Sequence, residues 1–280
     1  QTIVILAVLF AALLHACWNF TLRGSSDKLL SMSAIALGHV PLGILGLISF
    51  GTPNLQSLIY VLASALLHFF YQIFLLNAYK HSELTQVYPV ARGLSPLIIV
   101  VVSTLFIGDY LLKNELLGVF CISIALVGYG LKISLVSKAS LKGFCFAACA
   151  GGFIASYSLV DGYGVRIAQN AIGFYSAVTI INALIFCFFL LLFYKETFSS
   201  LILHGQKTFW IGGSASFIAY AIVVWACLHL PISVVYTLRE TSVFFAVLLA
   251  TLFLKEKLSV SKISLIVILC FGVALIKGSL

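Results

Sequence analysis

Two arginines, Arg92 and Arg239, stand inside long apolar stretches. In a bilayer each costs at least ~2.5–3.5 kcal/mol, so each needs a partner or a wet cavity. The chemistry a guanidinium offers there is charge-assisted hydrogen bonding to an anionic group, a carboxylate or a phosphonate. Arg92 lies in Tyr88-Pro89-Val90-Ala91-Arg92-Gly93-Leu94-Ser95-Pro96, where two prolines and a glycine predict a broken or kinked helix lining a cavity. Tyr88, Arg92 and Ser95 fall on one helix face. A second role stays open for Arg92, that of snorkelling from its short distance inside the span to the interface. Arg239 has Tyr236 one turn before it and Glu240 beside it. Adjacent helical residues do not face each other, so one of the two is expected at a cavity and the other toward a neighbouring span. An internal structural ion pair is the alternative. A desolvated Glu240 would suit a proton-coupling carboxylate.

A polar-aromatic pattern occurs twice. His15, Trp18 and Asn19 repeat the spacing of His68, Tyr71 and Gln72, a His, an aromatic and an amide at i, i+3 and i+4. Each set forms one stripe on a helix, facing a bundle interior either as cavity lining or as interhelical hydrogen-bonding glue. Tyr157, Tyr220 and Trp225 are further aromatic candidates for a pocket wall. Asp161, one turn after Tyr157, opens the run Asp161-Gly162-Tyr163-Gly164 and reads more readily as a helix-end cap than as a coupling residue. Asp109 and Glu256 read as surface carboxylates. The seven cysteines lie in apolar runs and behave as small hydrophobes, and Cys145 with Cys149 lacks the His or carboxylate a metal site needs. No zinc-protease motif, nucleophile elbow, phosphate loop or paired acidic metal site is present, so neither an enzyme nor a cofactor is expected.

The elements that position these residues are membrane helices. Apolar residues make up 62% of the 280-residue chain and charged residues 9%. So few charges cannot coat a soluble domain, which excludes a soluble enzyme, a disordered chain and a nucleic-acid-binding domain despite the net charge of +8. Apolar runs of about 20 residues predict ten spans, near 2–22, 29–50, 57–79, 84–107, 115–134, 141–162, 171–194, 207–229, 232–254 and 259–277. The chain opens on Gln1 rather than Met, so a few residues are expected before it, and the first segment reads as a spanning helix, not a cleaved signal. Eleven basic residues fall in odd-numbered connections and three in even-numbered ones or the C-terminus. That bias puts the odd connections in the cytoplasm and both termini outside.

An internal repeat organises the spans. Residues 84–111 match 231–258 at an offset of 147, which sets Arg92 on Arg239, Leu105-Phe106 on Leu252-Phe253 and Asp109 on Glu256. One residue more sets Tyr88 on Tyr236. The expected fold is an all-α polytopic membrane protein of ten transmembrane helices, built as two inverted five-helix repeats, 1–134 and 141–280. Odd helix number per repeat forces the inversion, and such carriers hold substrate near the midplane between repeats.

His15-Ala16-Cys17-Trp18-Asn19, Val87-Tyr88-Pro89-Val90-Ala91-Arg92-Gly93 with Ser95-Pro96, Leu105-Phe106-Ile107-Gly108-Asp109 and Leu252-Phe253-Leu254-Lys255-Glu256-Lys257-Leu258 together resemble the EamA-type transporters of the drug/metabolite transporter superfamily, over essentially the whole chain. Asp109 departs mildly from the Glu common in that closing motif. The resemblance implies a secondary carrier that moves small metabolites, often as an exporter, by alternating access in a bacterial inner membrane, with both termini in the cytoplasm, against the charge count. The expected partners are a small-molecule substrate, the lipid bilayer and protons as coupling ion, with no nucleic acid and no metal. The expected function is secondary active export of a small polar organic metabolite, amino-acid-like or another organic anion. Arg92 and Arg239 would hold its anionic group. His15, Trp18, Asn19, His68, Tyr71, Tyr88, Tyr157 and Tyr236 would line the cavity, and Glu240 would exchange the proton. The alternatives are a multidrug or cation efflux carrier and a non-transporting membrane receptor.

Overall fold

The computed structural model describes residues 1–22, 27–81, 84–136, 140–255 and 258–278, and those residues contain helices and no strand. The helices are α1 (Thr2–Leu22), α2 (Lys28–Gly38), α3 (Val40–Phe50), α4 (Leu58–His81), α5 (Leu84–Val102), α6 (Lys113–Val136), α7 (Leu141–Ala168), α8 (Ala171–Phe193), α9 (Lys195–His204), α10 (Ser214–Ala226), α11 (Ile232–Arg239), α12 (Ser242–Leu254) and α13 (Val260–Lys277). α2 with α3, and α11 with α12, each make one span. Among the described residues nine helical segments are long and apolar enough to cross a membrane, and Ala91–Ile107 is a shorter apolar stretch. Large apolar side chains such as Ile3, Ile48, Phe193 and Val260 point outward, as lipid-facing surface requires. The chain is an all-α, multi-pass membrane protein.

Local chemistry explains where helices start and stop. Asp27 accepts a hydrogen bond from Leu30 N at 2.9 Å to open α2, and Asn170 does the same for Gly173 N to open α8. Pro41 in the first turn of α3 restarts the helix after His39. Gly108, at φ 78°, takes the left-handed conformation that ends the π-helical turn Ser103–Ile107 following α5.

Three expectations differ from what is observed. α5 is helical throughout Leu84–Val102, both prolines included, so no break falls there. Pro96 has no N–H for the carbonyl of Arg92, and Ser95 Oγ donates to that carbonyl instead, at 3.2 Å. The break lies in the matched span, where Glu240 N and Thr241 N donate to Thr237 O and Leu238 O in tight i→i−3 bonds between α11 and α12. Second, α7 does not end near residue 162. It continues to Ala168, because Asp161 finds partners inside the bundle. Third, the connection before residue 207 contains α9, which buries no residue and presents Ile202 and Leu203 outward. Such a helix suits the plane of a membrane interface.

Packing follows a regular exchange. α4 packs on α7 as α1 packs on α10, and α5 packs on α7 as α1 packs on α12. α4 contacts α8 as α2 contacts Thr208–Gly213, the π-helical entry to α10. α3 packs on α8 and α6 on α13. Swapping the spans before residue 137 for those after residue 140, in order, maps this set of contacts onto itself. Two of these contacts are backbone to backbone. A Cβ on Gly213 would lie 2.7 Å from Gly38 Cα, and one on Gly118 would lie 2.6 Å from Gly272 O, so only glycine permits these crossings.

Candidate functional site

A cavity of about 340 Å³ opens among α1, α2, α4, α7, α8, α10, α11 and α12. Its lining extends to Asn19 and Tyr79, near the ends of α1 and α4, and to Lys28 at the start of α2. The opposite end of the bundle is tied by a polar network. There Asp109, after α5, pairs with Arg166 near the end of α7 at 2.6 Å and accepts from Ile232 N at 2.7 Å. Arg166 also donates to the carbonyls of Cys227 and Leu230 at 2.9 and 3.1 Å. Asn54 donates to Ile167 O while Asn170 donates to Phe50 O, at 2.9 and 2.8 Å. The reading of Asp109 as a surface carboxylate therefore gives way to a buried one, because Arg166 and a backbone N–H satisfy it. Glu256 lies outside the described residues.

Nine of the residues singled out from the sequence line the cavity: His15, Trp18 and Asn19 from α1, His68, Tyr71 and Gln72 from α4, Tyr157 from α7, Tyr220 from α10 and Arg239 from α11. Both stripes reach the cavity as units because the 3.6-residue period keeps each on one side of its helix. His15 meets Trp18 edge to face at 5.2 Å, and His68 stacks on Tyr157 with centroids 3.9 Å apart. Gln72 completes its stripe, bridging to Asn182 of α8 at 3.3 Å. The wall also includes His39, at the break between α2 and α3, together with Tyr175. His39 carried a local signal, since Gly38-His39-Val40-Pro41 interrupts an apolar run. Tyr175 carried none. Trp225 packs on His229 instead of joining the wall.

The two arginines have different surroundings. Arg92 is absent from the cavity wall and sits 2% exposed against Glu240, 1% exposed, with Nε 2.7 Å from Oε2. That approach is an ion pair off the line of a hydrogen bond, and Arg92 Nη2 additionally donates to Ser242 Oγ at 3.2 Å. Since Ser242 belongs to the wall, the pair stands one side chain behind it. Arg239 is 7% exposed and lies in the wall itself. Its guanidinium carbon sits 4.7 Å from the Tyr220 ring centroid and 6.0 Å from that of Tyr236. Among the described residues no carboxylate lies within ion-pair distance of it, and its buried Nη1 has no hydrogen-bond partner. Cation–π contacts offset only part of the desolvation of such a group. Tyr236 lies behind the wall, its hydroxyl 2.9 Å from that of Tyr220. The Tyr88 side chain lies outside the described residues.

Asp161, expected at a helix end, is instead fully buried in mid-α7. It accepts from Ser64 Oγ and from Tyr220 OH (2.7 Å), and His68 Nε2 lies 3.1 Å from Oδ2. Among the described residues no group of three or more His, Cys, Asp and Glu side chains could hold a metal ion.

No family model matches the sequence, and no curated protein matches it. Solved structures do. One, described only as the crystal structure of a protein, aligns with 100% of this chain and 98% of its own, with a TM-score of 0.74 at 16% identity. At that identity the likeness establishes the fold alone: this multi-pass helical architecture, over its whole length, is one already seen in a crystal.

Proposed function

We propose that the chain is a secondary carrier for a small organic anion or zwitterion, with Arg239 as the group that holds the substrate's carboxylate or phosphonate. The observation that carries this reading is a guanidinium with no carboxylate in contact among the described residues and with its buried Nη1 left without a hydrogen-bond partner, in the wall of a cavity large enough for a small metabolite. A buried cation without a counter-ion is costly in a membrane protein, and a bound anion supplies what is missing. His15, Trp18, Asn19, His68, Tyr71, Tyr157 and the neighbouring tyrosines bind the rest of the molecule through ring faces and a few polar atoms. Arg92 acts at one remove, holding Glu240 and Ser242 beside the α11–α12 break. The exchange symmetry of the helix contacts supports ten spans arranged as two inverted five-helix repeats of the EamA kind. The Asp109–Arg166 network at one end, with a cavity whose lining extends to Lys28 toward the other, suits one end state of alternating access in a bacterial inner membrane. By the charge count the basic, Lys28 end faces the cytoplasm.

The test is a thermal-shift screen of the purified protein against amino acids, organic acids, phosphonates, nucleosides and amines, followed by uptake into proteoliposomes. Stabilisation by an anionic or zwitterionic compound, lost in Arg239→Ala, with saturable uptake of the same compound, is the expected result. Stabilisation by cations alone would assign the aromatic wall to a cation efflux carrier. Binding without uptake would make the protein a receptor.

A further inference from the structure

The carboxylate behind the cavity wall has a second use. Asp161 is wholly buried, yet every side chain that hydrogen-bonds it is formally neutral or a histidine. Among the described residues that hydrogen-bond it, only His68 can carry a compensating charge, and His68 is also the member of the pair that reaches the cavity. The groups around the pair are Ser64 on α4, Tyr157 on α7, Tyr175 on α8, Tyr220 on α10, and Tyr236 with Arg239 on α11. His39, between α2 and α3, packs against Tyr175 at 6.3 Å. No second carboxylate is among them. A metal cation such as sodium would need several oxygen ligands turned toward it, whereas here hydroxyl and ring N–H donors are already turned toward the carboxylate. A proton is the cation this arrangement fits.

We infer that His68 and Asp161 form the proton-binding site of the carrier, and that Tyr220 links it to Arg239 so that a proton and the substrate anion bind together. A proton from cavity water adds at His68 Nδ1, the ring nitrogen not engaged with Asp161, giving an imidazolium whose Nε2–H stays on Asp161 Oδ2; passing that Nε2 hydrogen to the carboxylate gives the other form, a carboxylic acid beside a neutral imidazole. The pair gains one proton and one positive charge. Tyr220 donates to Asp161 Oδ2 while its ring lies under the Arg239 guanidinium. Arg239 therefore opposes the added proton, and an anion seated on Arg239 cancels that opposition. The linkage is reciprocal: each ligand strengthens the other's binding by the same factor. Proton and anion then cross in one direction, instead of being exchanged at Glu240. The proton site stands on its own geometry, and the coupling rests on Arg239 being the anion site.

Infrared difference spectra of the full chain in lipid vesicles, recorded between neutral and acidic pH, test both parts with no substrate. Wild-type protein should show the added proton as a carboxylic-acid carbonyl band or an imidazolium ring band. Asp161→Asn should lose that band, and an Arg92→Gln/Glu240→Gln double variant should keep it. The reverse pattern, or no band in wild type, overturns the site. Should Asp161→Asn fail to fold, Tyr220→Phe serves: with one donor fewer on the carboxylate the band should persist at a pH where wild type has lost it, and an unchanged spectrum overturns the site. Arg239→Gln imitates charge cancellation by an anion and should likewise keep the band to higher pH, with Arg239→Lys restoring wild-type behaviour. A spectrum indifferent to Arg239→Gln overturns the coupling and leaves the anion site to the thermal-shift screen.

Discussion

Arg92 and Arg239 stand 147 residues apart in two stretches of similar sequence, yet one is paired with an acid and the other faces a cavity. Arg92 crosses between the stretches to Glu240, the residue next to its own counterpart. That pairing leaves Arg239 with aromatic faces and a cavity, and without an acid. The difference follows from one carboxylate: the first stretch has Gly93 where the second has Glu240. Gly93 serves packing, since a Cβ there would lie 2.7 Å from Val127 N on α6. Two stretches of similar sequence thus give their arginines different surroundings through one neighbouring residue.

Breaking the comparison should cost most at Arg92. Arg92→Ala leaves Glu240 buried and unpaired and should destabilise the protein by about 3–5 kcal/mol. Removing Glu240 as well should recover much of the loss, which unfolding titrations in mixed detergent would read as a double-mutant cycle. Arg239→Ala should be the milder lesion in the unliganded protein and the more severe one for binding. At 100 times the dissociation constant a ligand adds about 2.7 kcal/mol of stability, and that increment should vanish in the variant. At the Asp109–Arg166 end, Arg166→Ala removes a partly exposed pair together with bonds to two carbonyls, for about 1.5 kcal/mol. Cys227, fully buried under Arg166, should then react faster with a maleimide, quantified by peptide mass spectrometry. Smallest of all, Tyr220→Phe deletes one hydroxyl bonded to Asp161 and Tyr236, worth about 1 kcal/mol in the same unfolding titration.

The spans were legible because run length and apolarity are local properties. Residues 2–22, 171–194 and 259–277 match Thr2–Leu22, Ala171–Phe193 and Val260–Lys277 closely. The stripes were legible for the same reason: one helical period puts His15 with Asn19 and His68 with Gln72 on one face. Whatever depends on a distant partner was not. Asp161-Gly162 looks like a helix exit until Ser64, His68 and Tyr220, from two other helices, are seen to satisfy the carboxylate. Periodicity could separate Glu240 from Arg239 but could not show that the acid meets Arg92, 148 residues away. Pro89 and Pro96 signalled an interruption in α5, and the break lies in the span with neither, since a serine hydroxyl replaces the missing donor at Pro96.

The crossing of Gly38 and Gly213 has a mechanical consequence. Backbone rests on backbone there, with no side chains to interlock, so the contact resembles a bearing more than a clasp. Its two surfaces belong to α2 and to the π-helical turn that leads into α10. A smooth contact lets two rigid bodies tilt against each other without rotamer changes at the point of support, and the wall residues Met32, Ile35 and Ser216 lie within a turn or two of it. A methyl group on either glycine would act as a wedge, jamming the tilt as well as pushing the helices apart.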